Sequence, residues 1–205
     1  MIKFFTISVL TLSVLFLNSC ASGYKKIQPK TINFASRSEN NSIVLEYKYD
    51  LLEKKYKKKE LNNGLKVIAV KVTNNTSNDL VFGKDIRLTY ENGNELNLLE
   101  TNVVYNTIKQ SPASYLWYLL LTPMQFQTTT TNSFGQQTSS SSTPIGLVIG
   151  PGLAGGNMIA ASSANKNFQN DLTENDIIGK IIKKGETVFG IIGIRSDNYD
   201  TIKVK

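Results

Sequence analysis

The sequence predicts an antiparallel β-sandwich interrupted, ahead of its last strands, by an uncharged and partly helical insert. Short apolar runs with a period of two recur between Ile43 and Leu98 and again between Ile177 and Val204, separated by turns rich in Asn and Gly. Between those regions, residues 110–165 carry no charged side chain, although 19% of the chain is charged. The chain opens with a lone positive charge and a short apolar run, which sets where the protein is expected to reside.

That opening reads Met1-Ile2-Lys3, then apolar from Phe4 to Leu17 except for Thr6, Ser8, Thr11 and Ser13, and ends Leu17-Asn18-Ser19-Cys20. The run is shorter than the roughly 20 residues of a permanent membrane helix and has the build of a secretory signal peptide. Leu17, Ser19 and Cys20 resemble the lipobox of bacterial lipoproteins, with Asn18 departing from the small residue usual at its position. The resemblance implies cleavage before Cys20, acylation of its thiol and new amino group by chains such as palmitate, and a lipid bilayer as partner. Ala21 in place of Asp implies the outer membrane if the source is Gram-negative. Cys20 is the only cysteine, so no disulfide can form within the chain, and acylation would remove a reactive thiol. Two or three acyl chains, at about 0.8 kcal/mol per buried methylene, anchor a protein firmly.

The expected organisation is a signal peptide over 1–19, a lipidated cysteine and flexible tether over 20–41, a sandwich from 42–109 and 171–205, and the insert over 110–170. Lys25, Lys26 and Lys30 lie near the anchor, where anionic head groups would attract them or water would solvate them. In the first strand Ile43, Leu45, Tyr47 and Tyr49 share one face. Glu53 to Glu60 is the densest charge run and reads as an exposed strand end or turn, with an anion-binding patch as the alternative. Asn62-Asn63-Gly64 is a turn. Leu65–Thr73, rich in β-branched residues, suits a central strand. Leu80-Val81-Phe82 opens a short strand, and Ile86, Leu88 and Tyr90 reach a hairpin turn at Asn92-Gly93 that returns through Leu96 and Leu98. Val103-Val104-Tyr105 extends the sheet. Ile177–Ile182, Val188–Ile194 and Thr201–Val204 supply the last strands, with Ile202 and Val204 inward. Val67 to Leu88 resembles the immunoglobulin-like domains of many exported bacterial proteins, but without their Cys…Trp…Cys core.

The insert has three parts. Ser111-Pro112 starts a helix through Leu121, with Leu116, Leu119 and Leu120 on one face and the amphipathic rings of Tyr115, Trp117 and Tyr118. Gln125 to Thr143, low in complexity, is expected to be a mobile loop. Ile145 to Ala164 is apolar, with Pro151 forbidding a regular unbroken helix and with Gly152, Gly156, Ala160 and Ala164 recurring every fourth residue. Two readings stand: the segments fold against the sandwich as a satellite core, or they form a hairpin that enters a bilayer or packs between subunits. Trp117, Tyr118, Leu120, Gly152, Gly156 and Ala160 are the candidate contacts.

The chain has no histidine, and its one cysteine is assigned to lipid. Histidine-based catalysis, thiol nucleophiles and the usual zinc sites are thereby excluded. Asp171, Glu174 and Asp176 cluster, but not at the spacing of a calcium loop, and read as a solvated turn and helix end. No cofactor or metal is expected. The net charge of +7 points to anionic lipid or glycan surfaces rather than nucleic acid. The expectation is therefore an envelope lipoprotein, not an enzyme, with a binding or structural role. An envelope protein is a candidate partner. The alternative is a membrane-active or self-assembling subunit.

Overall fold

The structure is a computed structural model that describes residues 20–205. The signal peptide and the lipobox residues Leu17 and Ser19 lie outside the described residues. In chain order the strands are β1 (Ser36–Asn40), β2 (Ile43–Lys48), β3 (Leu65–Asn74), β4 (Leu80–Val81), β5 (Leu88–Tyr90), β6 (Leu98–Leu99), β7 (Phe126–Thr131), β8 (Gln137–Thr143), β9 (Ile181–Ile182), β10 (Thr187–Arg195) and β11 (Ile202–Val204). The α-helices are α1 (Lys54–Asn62), α2 (Thr101–Ile108) and α3 (Gly146–Glu174), with 3-10 helices at Pro29–Thr31 and Pro112–Leu121. Helix and strand each account for 32% of the structure, which corrects the mainly-β expectation to a mixed fold with antiparallel sheets.

The chain forms two compact units. A sheet unit comprises Tyr24–Gln110 and Ala164–Lys205, and an uncharged unit comprises Ser111–Ser163 with residues 20–23. In the sheet unit five strands run antiparallel in the order β1-β2-β3-β10-β6. β3 is covered on both faces, so it reads as a nearly continuous apolar run. On one face Leu45, Tyr47, Ile68, Val70, Ile192 and Ile194 pack against Phe82, Ile86, Leu88, Ile182, Ile202 and Val204. Most of these partners come from the two-stranded pairs β4–β9 and β5–β11. On the other face Leu65, Val67 and Ile191 pack against Tyr56 of α1, Val104 and Ile108 of α2, and Phe168 and Leu172 of α3.

The differences from the sequence expectation have local causes. The lysine run is helix α1, because Tyr56 and Glu60 stand one turn apart and are both buried, while long straight side chains cost little in a helix. Val103-Val104-Tyr105 lies in α2, not a strand. Val104 and Ile108 are spaced for one helical face, and their burial outweighs the β preference of valine. The Asn92-Gly93 turn forms, with Gly93 at φ +85°, and Leu96 N–H donates to the Leu88 carbonyl at 2.8 Å. The return strand β6 then leaves its hairpin partner to pair with β10. The expected tether is built into the sheet unit: Ile27 and Pro29 are buried, and β1 pairs with β2.

Gly193 of β10 lies against α2, and a Cβ there would overlap the Val104 side chain. Gly193→Ala is expected to destabilise the protein by about 1–3 kcal/mol through overpacking. A lowered urea midpoint with an unchanged slope checks this.

Candidate functional site

In the uncharged unit the 3-10 helix Pro112–Leu121 has three residues per turn, so Tyr115, Tyr118 and Leu121 share a face. Tyr115 and Tyr118 are buried and stack with centroids 6.4 Å apart. They pack with Ala154 and Ala161 of α3, and Leu121 and Met158 flank them. Close approach is made possible by Gly146 and Gly150. A Cβ on Gly146 would strike the Leu121 and Thr122 carbonyls, and one on Gly150 would lie 3.1 Å from the Tyr118 carbonyl. The packed face of α3 is thus Gly146, Gly150, Ala154 and Ala161. Gly152, Gly156 and Ala160 are exposed, with no atom within 4 Å of a Cβ on either glycine. Ala164 is buried in the sheet unit.

Pro151 does not break α3. It is the sixth residue of the helix, and Gly150 before it has no Cβ to meet the proline ring, so the usual bias of a pre-proline residue against helix is relieved. The Thr-, Ser- and Gln-rich segment is not a loop but the hairpin β7–β8. Threonine favours strand, and Asn132 fixes the turn. Its Oδ1 accepts from Phe134 N–H at 3.0 Å and Gln136 N–H at 2.9 Å, while Gly135 takes φ +76°.

Beyond the hairpin, whose Thr, Ser and Gln side chains are exposed, this unit also presents large apolar side chains to the outside. Leu116, Leu119 and Leu120 are exposed beside Trp117, which is 73% exposed, and Met124, Phe126 and Phe134 follow. On α3, Leu147, Val148, Ile149, Leu153 and Ile159 are exposed, Val148 at 77%. Among the described residues α3 is a helix long and apolar enough, by length and composition, to cross a membrane, although its last turns belong to the sheet unit. Of the candidate contacts, Trp117, Leu120, Gly152, Gly156 and Ala160 face outward, whereas Tyr118 is core.

Cys20 is exposed, and the residue after it is held in the same unit. Ala21 N–H donates to Asn157 Oδ1 at 2.5 Å, and Asn157 Nδ2 donates to the Leu153 carbonyl at 2.8 Å. Ala21 also packs beside the Tyr115–Ala154 cluster. Sequence reasoning had no signal for this, because Asn157 reads as one polar residue in an apolar run.

In the sheet unit the acidic cluster is structural. Buried Asp171 accepts from Ile27 N–H at 2.6 Å and from the Tyr24 hydroxyl at 2.8 Å, which fixes the N-terminal segment. Burial first, and then that bond, raises the Tyr24 pKa far above the usual tyrosine range. Asp176 accepts from the Thr101 hydroxyl at 2.9 Å, and Glu174 lies 3.5 Å from Lys26. Among the described residues no group of three or more potential acidic, thiol or imidazole ligands is placed to hold a metal. Of the lysines near the anchor, Lys25 pairs with Glu53 at 2.7 Å. On α1, Lys57 pairs with Asp50 at 2.7 Å, and Lys59 donates to the Lys109 carbonyl.

Two buried polar groups were not singled out from the sequence. Asn165 holds the crossing where the insert departs and returns: Gln110 N–H donates to its Oδ1 at 2.8 Å, and its Nδ2 donates to the Gln110 carbonyl at 2.9 Å. The Tyr56 hydroxyl adds a third bond at 3.0 Å. Glu60 accepts from Val67 N–H at 2.7 Å. Burial pushes its carboxyl up to about 7, against the opposing pull of that bond and of Lys66. Lys66 is itself buried beneath the Tyr199 ring, 4.6 Å from its centroid. No family model matches the chain, and no curated protein or solved structure is similar to it.

Asn165→Ala removes the partners of both the N–H and the carbonyl of buried Gln110 and is expected to cost on the order of 3 kcal/mol, read from chemical denaturation. Glu60 gives a pH signature. Its folded pKa of about 7 lies above the ordinary 4.5, so the folded chain binds more protons between those values. The contribution of Glu60 to stability is therefore greatest below about 4.5, declines as pH rises to about 7, and is level above. In Glu60→Gln that decline is expected to vanish from the urea midpoint measured across this range.

Proposed function

We propose that this protein is a lipid-anchored envelope protein, not an enzyme, whose uncharged unit beds in the bilayer that Cys20 enters. The sheet unit is then held at the membrane surface as a binding or structural module. One observation carries the reading: the residue following Cys20 is built into an uncharged unit that exposes large apolar side chains on Pro112–Leu121 and on α3. Acyl chains on Cys20 would leave from that unit, so the bilayer is the apolar medium nearest to its exposed Leu, Val and Trp side chains. The absence of charge over residues 110–165 supports this, since each charged side chain at mid-bilayer costs about 2.5–3.5 kcal/mol. Residues 146–163 of α3 cover roughly 27 Å as helix, close to the thickness of a hydrocarbon core. Trp117 suits the interface between hydrocarbon and water.

The sheet unit fits a finer reading as an immunoglobulin-like sandwich with added helices. The five-stranded sheet with β4–β9 and β5–β11 packed on one face supports it. Placement in the outer membrane rests on Ala21 following the acylated cysteine.

Trp117 is the only tryptophan, so its fluorescence reports on the uncharged unit alone. In the full mature chain reconstituted into vesicles, its emission is expected to shift to the blue and to be quenched by bromine-labelled lipids. Unchanged, unquenched emission in protein that floats with the vesicles would defeat the reading. Leu120→Asp and Val148→Asp are each expected to weaken vesicle binding of the Cys20→Ala chain by at least about tenfold.

A further inference from the structure

Among the described residues the hairpin β7–β8 pairs with no other strand, and every residue of both strands is exposed. Its outward edges therefore present rows of backbone N–H and C=O groups without a ladder partner. An isolated two-stranded ribbon is marginal in water, and monomeric proteins blunt such edges with charge, proline or very short strands. Here the strands are six and seven residues long, with a single irregularity between Thr130 and Thr131. No charge or proline interrupts either strand.

We propose that the β8 edge of one copy pairs with the β7 edge of the next, so that hairpins of neighbouring copies join into one antiparallel sheet. A second copy of this chain is the occupant that the chemistry selects. The edges carry no charge to choose a partner of opposite sign, and no apolar row to fill a foreign pocket. What they present is a ladder flanked by threonine and serine hydroxyls, and hydroxyl side chains pair favourably with one another across strands. Head-to-tail addition satisfies both edges of every hairpin, whereas a two-fold pair satisfies only one edge of each. The inference is independent of the membrane reading, because edge pairing needs no bilayer and is tested first in detergent.

The test uses full-length chains carrying two different tags. One has Thr128→Cys and the other Ser141→Cys, each with Cys20→Ser, and they are mixed in mild detergent and oxidised. The expected result is a mixed-tag disulfide species at least tenfold above a control pair with the cysteine at Ser162 on α3. Multimers seen by light scattering should also fall to monomer in Thr129→Lys/Ser140→Lys, with thermal unfolding of the sheet unit unchanged. A monomer at all concentrations, both in detergent and on vesicles, would overturn the proposal. So would mixed-tag species equal to the control, or multimers indifferent to the two lysines. A multimer linked only between like positions would also overturn it, by showing two-fold pairing instead.

Discussion

A buried amide, Asn165, closes the base of the excursion that sets this protein apart. By accepting from the N–H of Gln110 and donating to the carbonyl of the same residue, it holds the departing and returning chain side by side within the sheet unit. The Tyr56 hydroxyl ties the same amide to α1. A polar residue can stay in such a place only when its bonds are met, and here they are met by the backbone that must be fixed. The insert can therefore differ in composition from everything around it without disturbing the core.

The two units illustrate opposite solutions to burying apolar surface. The sheet unit covers both faces of β3 and keeps most of its charges at the surface, some in pairs such as Lys25–Glu53 at 2.7 Å, while Glu60, Lys66 and Asp171 are buried. The uncharged unit buries two stacked tyrosines and a row of small residues, and leaves its larger apolar groups outside. Large exposed apolar groups in such number are uncommon in a soluble monomer, and the proposed bilayer contact would cover them. The hydroxyl-rich hairpin adds a second unfinished surface, one of hydrogen bonds rather than of hydrocarbon.

The strands of the sheet unit were legible wherever alternation was strict. Ile43, Leu45 and Tyr47 share a face as the period of two predicts, and Ile202 and Val204 are buried. The helices were harder to read. In α1 only Tyr56 and Glu60 of each turn are buried, one of them polar, so periodicity was nearly silent. In α2 the β-branched run Val103-Val104 outweighed the spacing of Val104 and Ile108 in a sequence reading, while packing decided the reverse. The uncharged unit was visible as a block because absence of charge needs no structure to detect. Its packing was not, since the leucine stripe Leu116, Leu119 and Leu120 looks like the buried face, whereas Tyr115 and Tyr118 form it and the leucines are exposed. Likewise, several small-residue rows are available on α3, and only contact with Pro112–Leu121 shows which one is used.

The bonds that Ala21 N–H donates to Asn157 and Ile27 N–H donates to Asp171 change what an anchor at Cys20 means. Only a few residues of chain separate the cysteine from Tyr24, about 14 Å even when fully drawn out. Under the proposed anchoring the protein is not a float on a long line but a fixture set against its support. It would meet partners by lateral diffusion within a plane, and only those that share or reach that plane. Recognition would then be governed by surface density more than by concentration in the surrounding fluid.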